Sequence, residues 1–288
     1  MTTLTQHNFN RARDFVITSA RPVDRALFAH TFENKKPDAV WDALRAFVNP
    51  DGGFGRAMEP DCRLPDSSVL GTITAFSYLI QTNAPQDHPI VKDSVKYLID
   101  KYDDLLMGWH MLTPAVNGYP RAMWWNYDPD TEYVEAAQHW GNPSASVVAI
   151  LQRYHALVPA DFLQTMIDKA VEVFHKKLYR LEGNDFLPFI ELAESLPEPM
   201  SEFLWEGLKK QARVAIVTDP AQWINYGIRP LWAVPDPSSP LMDVLSDSVY
   251  AHLDFEINRQ DADGSWYPFW HWGRFEAEWE KAKVEWQG

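Results

Sequence analysis

The chain has 288 residues and carries 40 acidic against 26 basic side chains, for a formal charge of −14. That length suits one large domain or two of roughly 150 residues each, and is enough to bury a sizeable core. The acidic balance excludes nucleic acid as an expected partner, because phosphate binding needs clustered Lys and Arg, and it disfavours docking on an anionic membrane surface.

In chain order, residues 1–8 lack the basic then apolar run of a secretory leader. Helical periodicity then dominates. The spacing predicts helices at about 8–18, 22–32, 37–48, 67–82, 88–105, 143–157 and 185–195. Asp66-Ser67-Ser68 offers a cap for the fourth, and Asn142-Pro143-Ser144 a start for the sixth. Phe162, Met166, Ala170 and Phe174 form an apolar stripe opposite Asp168, Lys169 and Glu172. Leu204, Leu208 and Ala212, then Met242, Leu245, Val249 and Leu253, repeat the pattern. Trp279 and Trp286, seven residues apart, belong to a final helix and read as packing. Strict alternation is nearly absent, so little sheet is expected. No apolar run reaches the ~18–20 residues of a membrane span. Cys62 is the sole cysteine, which leaves no intrachain disulfide and fits a reducing compartment. A cytoplasmic protein is expected.

The helices are short and joined by Pro- and Gly-rich turns, which favours antiparallel hairpins. No linker or composition break divides 1–288, so one all-α domain is expected. The two weakly periodic stretches, 107–141 and 218–240, are long enough to carry function or short structure of their own.

Two windows echo each other. Leu44 to Gly55 ends a helix and continues Asn49-Pro50-Asp51-Gly52-Gly53-Phe54. Phe255 to Trp266 does the same with Gln260, then Asp263-Gly264-Ser265-Trp266. In each, a Gly can take a left-handed backbone, amide and Asp side chains can bond free backbone groups, and the aromatic can fold back over the helix end. Repetition of such a unit signals stacked helical hairpins.

These residues carry a resemblance. Gln260-x3-Gly264-x-Trp266 resembles the QW motif of terpene cyclases. Asn49 to Gly55, followed by a helix rich in Thr and Ala (Thr72, Thr74, Ala75), is similar to the repeat of the prenyltransferase/squalene-cyclase superfamily. The chain also looks like stand-alone bacterial members of that superfamily that carry Asp-Gly-Gly-Phe-Gly, then Glu-Pro-Asp, then a Trp-Trp pair. The resemblance covers some 50–60 residues and implies an α/α toroid: inner and outer rings of helices around a central cavity often walled by aromatics. The superfamily's reaction motifs are not matched. Asp128-Pro129-Asp130-Thr131 lacks the last acid of Asp-x-Asp-Asp. Asp103-Asp104-Leu105-Leu106-Met107 fails at the fifth position of a magnesium-binding cluster. Asp61-Cys62 has no histidine in a context that would complete a zinc site. No metal and no cofactor is therefore called for.

The strongest local constellation is Glu59-Pro60-Asp61-Cys62-Arg63-Leu64-Pro65-Asp66, three carboxylates and one Arg within eight residues. At a toroid's end it would lie near the cavity mouth, where a carboxyl raised by burial can donate a proton while Arg63 holds its neighbour ionised. Asp61 and Glu59 are the candidate acids. The structural alternative is that Asp66 caps a helix and an Asp61–Arg63 pair pins a loop. Aromatic clusters on loops supply candidate cavity walls: Trp109 with His110, Trp124 with Trp125, His139 with Trp140, Trp223 with Tyr226, and Trp270-His271-Trp272. Their alternative is to seal helix ends. His139 is the histidine placed for acid–base work. An isoprenoid or other small apolar ligand is the first expectation. A carbohydrate enzyme, with two carboxyls facing across the cavity, and a non-catalytic module whose centre is filled by its own side chains are the alternatives. Composition leaves the oligomeric state open.

Overall fold

The computed structural model describes residues 2–177, 181 and 183–287. Among them are twelve α-helices: α1 (Gln6–Ser19), α2 (Pro22–Glu33), α3 (Asp38–Leu44), α4 (Val69–Gln81), α5 (Pro89–Asp100), α6 (Gly141–Arg153), α7 (Ala160–Lys177), α8 (Gly183–Ser195), α9 (Met200–Ala215), α10 (Pro230–Ala233), α11 (Met242–Asn258) and α12 (Glu276–Gln287). One antiparallel pair, Tyr127–Asp128 with Tyr133–Val134, is the only sheet among the described residues. The protein is all-α, as the periodicity predicts. No helix among the described residues is long and apolar enough to cross a membrane.

Local chemistry explains the boundaries. Thr5 and Ser68 accept from backbone N–H groups to cap α1 and α4. Pro22, Pro89 and Pro230 open α2, α5 and α10, where a missing N–H costs nothing. The cap of α4 is thus Ser68, not Asp66. Two predicted helices end early. The stretch 45–48 tightens into bonds one residue shorter than an α-turn, from Arg45 to Asp42 and from Phe47 to Leu44. Beyond Asp100 the Asp103 carboxylate accepts from Leu105 and Leu106, a local bond that competes with helix continuation. The stretch 107–141 carries three 3₁₀ turns and the strand pair. The stretch 218–240 carries α10 and one 3₁₀ turn, Pro220–Gln222.

Successive helices pack as pairs, α2 on α3, α4 on α5, α6 on α7, α8 on α9 and α10 on α11. Even-numbered helices also follow one another, α4 on α6, α6 on α8 and α8 on α10, while α7 packs on α9 and α9 on α11. Two layers result, sharing one large apolar core built from Val40, Phe76, Leu98, Val148, Phe174, Phe189, Leu208 and Leu245 among others.

The two echoing turns adopt the same backbone. Gly52 donates to the Asn49 carbonyl and Asn49 to that of Gly53; Gly264 donates to Asp261 and Asp261 to Ser265. Asp51 and Asp263 each accept from the N–H two residues on. Gly52 and Gly264 both hold a positive φ, 85° and 96°, and each lies against another helix. A Cβ on Gly52 would stand 2.5 Å from the Asp93 carbonyl of α5, and one on Gly264 2.3 Å from the Arg11 carbonyl of α1. The Trp266 indole donates back to Glu256 of α11 at 2.7 Å, folding over the helix end as predicted. The first turn thus ties the end of α3 to α5. The second ties the end of α11 to α1, with Gln260 donating to Asn8. α1 also packs on α12.

Candidate functional site

The Glu59–Asp66 segment is buried, and the chain on both sides explains why. Arg21, at the start of α2, donates to the carbonyls of Ala57 and Met58. Arg63 donates to Glu285 at 2.7 Å and to the Glu278 carbonyl, clamping the segment to α12. Backbone bonds from Ala122 to Asp61 and from Arg63 to Pro120 stitch it to the 119–125 loop. The predicted Asp61–Arg63 pair does not form, because α12 presents two glutamates to the guanidinium instead.

Asp61, 2% exposed, is enclosed by indoles. Its Oδ1 accepts from Trp272 Nε1 at 2.7 Å and from Trp286 Nε1 at 2.9 Å. Trp270 packs edge-on against Trp286, with centroids 5.3 Å apart, and adds a third indole dipole without itself reaching hydrogen-bond geometry. Burial pushes the Asp61 carboxyl up from 3.8 to about 6, the indole N–H groups and Arg63 opposing it. Glu59 is also buried, and its Oε2 has no hydrogen-bond partner. Burial, and then the Asp61 charge, push it well above the usual carboxylate range. The residues around this pair, including Cys62, Leu64, Trp125, Trp272 and Trp279, form a second, smaller core.

One cavity borders this segment through Pro60 and Trp286, and a second lies on the far side of α4. The first, of about 610 Å³, is walled by α2 (Asp24, Leu27, Phe28, Phe32), α4 (Thr74, Ser77, Tyr78, Gln81), α12 (Glu285, Trp286) and Pro60. On its wall Asp24 accepts from Arg21 Nε at 2.7 Å and from the Tyr78 hydroxyl at 2.6 Å. The second, of about 630 Å³, is walled by α4 (Ile73, Phe76, Ser77, Ile80, Gln81), α6 (Ser146, Ala149, Ile150, Gln152, Arg153) and α8 (Glu191, Glu194, Ser195), with Pro235 just past α10. Every even-numbered helix or its flank therefore faces a cavity. Among the described residues, none of the odd-numbered helices contributes to either one.

The chain matches no protein-family model and no curated protein.

The predicted site residues divide accordingly. Asp61, Glu59, Arg63, Trp125, Trp270 and Trp272 come together, but behind the cavity wall and not on it; Pro60, between the two acids, is the part that lines the cavity. Trp124 packs at the edge of the same small core. Trp109 and Trp223, each 1% exposed, donate to the Leu98 and Val217 carbonyls and serve packing. Trp140 donates to Met107. His110 lies 3.7 Å from Asp103 and against Tyr133. His271 caps Gly273 and faces Glu276. His139 and Tyr226 line a separate cleft of about 270 Å³ with Asp185 and Glu135, away from Asp61. The expected Trp-walled cavity is thus replaced by indoles folded into the protein: Trp109, Trp140 and Trp223 donate to carbonyls and Trp272 to Asp61, while the N–H groups of Trp125 and Trp270 are buried without a partner.

The acids that do face the cavities, Asp24, Glu285, Glu191 and Glu194, were not singled out by sequence. One signal was available: Glu191 interrupts the apolar run from Phe186 to Ala193, and Glu194 follows it at helical spacing. Glu285 is held above the usual carboxylate range by burial, against the pull of Arg63. Glu191 and Glu194 are likewise raised, first by enclosure within protein, although both keep contact with solvent. That combination belongs to side chains on a concave, wet wall.

Proposed function

We propose that the chain is an α/α toroid of the terpene-cyclase-like kind whose hollow centre takes a small, largely apolar ligand. The observation that carries the reading is the alternation of helices, with even-numbered ones facing the cavities and odd-numbered ones behind them. The matching turns support closure of the ring: the second joins the last pair to α1 as the first joins α3 to α5. Leu27, Phe28, Phe32 and Trp286 offer the apolar wall. Glu285 is an acid on that wall, raised by burial against the pull of Arg63, the direction in which a proton donor is tuned. Asp61 acts as a positioning residue, holding Trp286 through the 2.9 Å indole bond.

The carbohydrate reading is less well supported. Glycoside cleavage needs carboxyls on opposite sides of the scissile bond, whereas Glu191 and Glu194 sit one helical turn apart on α8 and Asp24 is engaged by Arg21 and Tyr78. Open cavities also argue against a centre filled by its own side chains.

The test is incubation of the purified chain with squalene, prenyl alcohols and prenyl diphosphates, followed by mass spectrometry and thermal shift. Product from the wild type and its loss in Glu285→Gln supports catalysis. Binding without product reduces the reading to a carrier. Neither product nor a shift with any isoprenoid removes it.

A further inference from the structure

The two cavities share Ser77 and Gln81 on α4. Around α4, Ile73, Phe76 and Ile80 face the second cavity and Thr74 and Tyr78 the first, so the two sets are neighbouring stripes of one helix that meet at the shared pair. Ser77 and Gln81 are exposed although they lie among buried residues of the same helix, as expected where a solvent-filled passage runs over them.

The ends of this passage differ in charge. At the α2 end Arg21 is matched by Asp24, and Glu285 by Arg63. At the α8 end Arg153 is turned to Asn83, to which it donates at 3.0 Å. Among the described residues, no cation is among the groups acting on Glu191 or Glu194. The wall beside them mixes apolar side chains, Phe76, Ile80 and Ile150, with Ser146, Gln152, Arg153 and His155. Glu191 and Glu194 are exposed on this wall; the Glu194 charge raises the cost of ionising Glu191 and the Asp236 charge that of Glu194, a cost that a bound cation relieves. The net charge of −14 adds long-range attraction for a cation and repulsion for an anion.

We infer that the two cavities form one elongated site for a cationic amphiphile, with an amine-bearing end at Glu191 and Glu194 and an apolar chain running over Ser77 towards Phe28 and Trp286. This rests on the toroid-ligand reading above and specifies its ligand class; a ligand with an anionic head fits the α8 end poorly.

The test uses the full chain at pH 7 and calorimetric titration with decylamine, decan-1-ol and decyl phosphate below their aggregation limits. Decylamine is expected to bind about tenfold more tightly than decanol, from a charge-assisted contact, with decyl phosphate weakest. Glu191→Gln combined with Glu194→Gln should erase the amine's advantage and leave decanol binding in place, with an unchanged melting curve showing that the fold is intact. Ser77→Trp should abolish the affinity gained between butylamine and decylamine while butylamine still binds. Decyl phosphate binding as well as decylamine, or an amine preference that survives the double substitution, overturns the inference. If decanol binds and the amine has no advantage, the inference falls and the apolar-ligand reading stands. If none of the three binds, both fall.

Discussion

Asp61 and Glu191 are both carboxyls pushed up by enclosure in protein, yet the molecule uses them differently. Asp61 has two indole N–H groups aimed at one oxygen and lines neither of the two cavities. Glu191 stands on a cavity wall, in contact with solvent, with the Ser146 hydroxyl as its one favourable polar neighbour and Glu194 as an unfavourable one. A raised carboxyl whose acceptor sites are already taken is a structural device that fixes the groups around it. A raised carboxyl on an open wall is available to a ligand. Perturbation alone does not separate the two; what each oxygen faces does.

The sharpest way to break this contrast is to remove a donor from Asp61. Trp272→Phe deletes an N–H bond to a buried acid and some packed volume, and should cost about 3 kcal/mol in urea unfolding. A cost near zero would mean that the indoles do not hold Asp61. The pH dependence is the next largest effect. The folded value of about 6 lies above 3.8, so Asp61 contributes stability that is complete below about pH 4 and is lost as pH rises through about 6. The full swing is about 3 kcal/mol. Asp61→Asn should therefore match the wild type near pH 4 and exceed it by about 2–3 kcal/mol at pH 7 to 8. Parallel stability curves for the two proteins would refute the assignment. The smallest effect belongs to Glu191→Gln, which should change stability by no more than about 0.5 kcal/mol, because its carboxyl anchors nothing. A larger loss would place Glu191 in the structural class with Asp61.

Much of the fold was legible before any coordinates. The stripe from Phe162 to Phe174 and the run from Met242 to Leu253 are helical because their apolar residues recur at the helical period, and the folded chain buries those faces. The paired Asp-Gly turns were legible too, since Gly52 and Gly264 need a backbone sign that other residues resist. Helix ends near 48 and 105 were less so, because the Asp103 carboxylate and the tight bonds after Leu44 compete with propagation on a scale that periodicity does not register. The candidate site was legible only in part. Glu59, Asp61 and Arg63 are near one another in sequence and remain together. Trp270, Trp272 and Trp286 join them from more than 200 residues away, which no local pattern encodes.

Sequence by itself determined that this chain is helical, that its helices pair through short turns, and that one turn chemistry is used near both ends. These properties depend on residues within a few turns of each other. Tertiary structure alone decided which acids are walled in and which face open space. Asp61 and Glu191 are both carboxyls, and the difference lies in what tertiary packing brings to each: Trp286 of the distant α12 donates to Asp61, whereas Glu191 stays on a cavity wall.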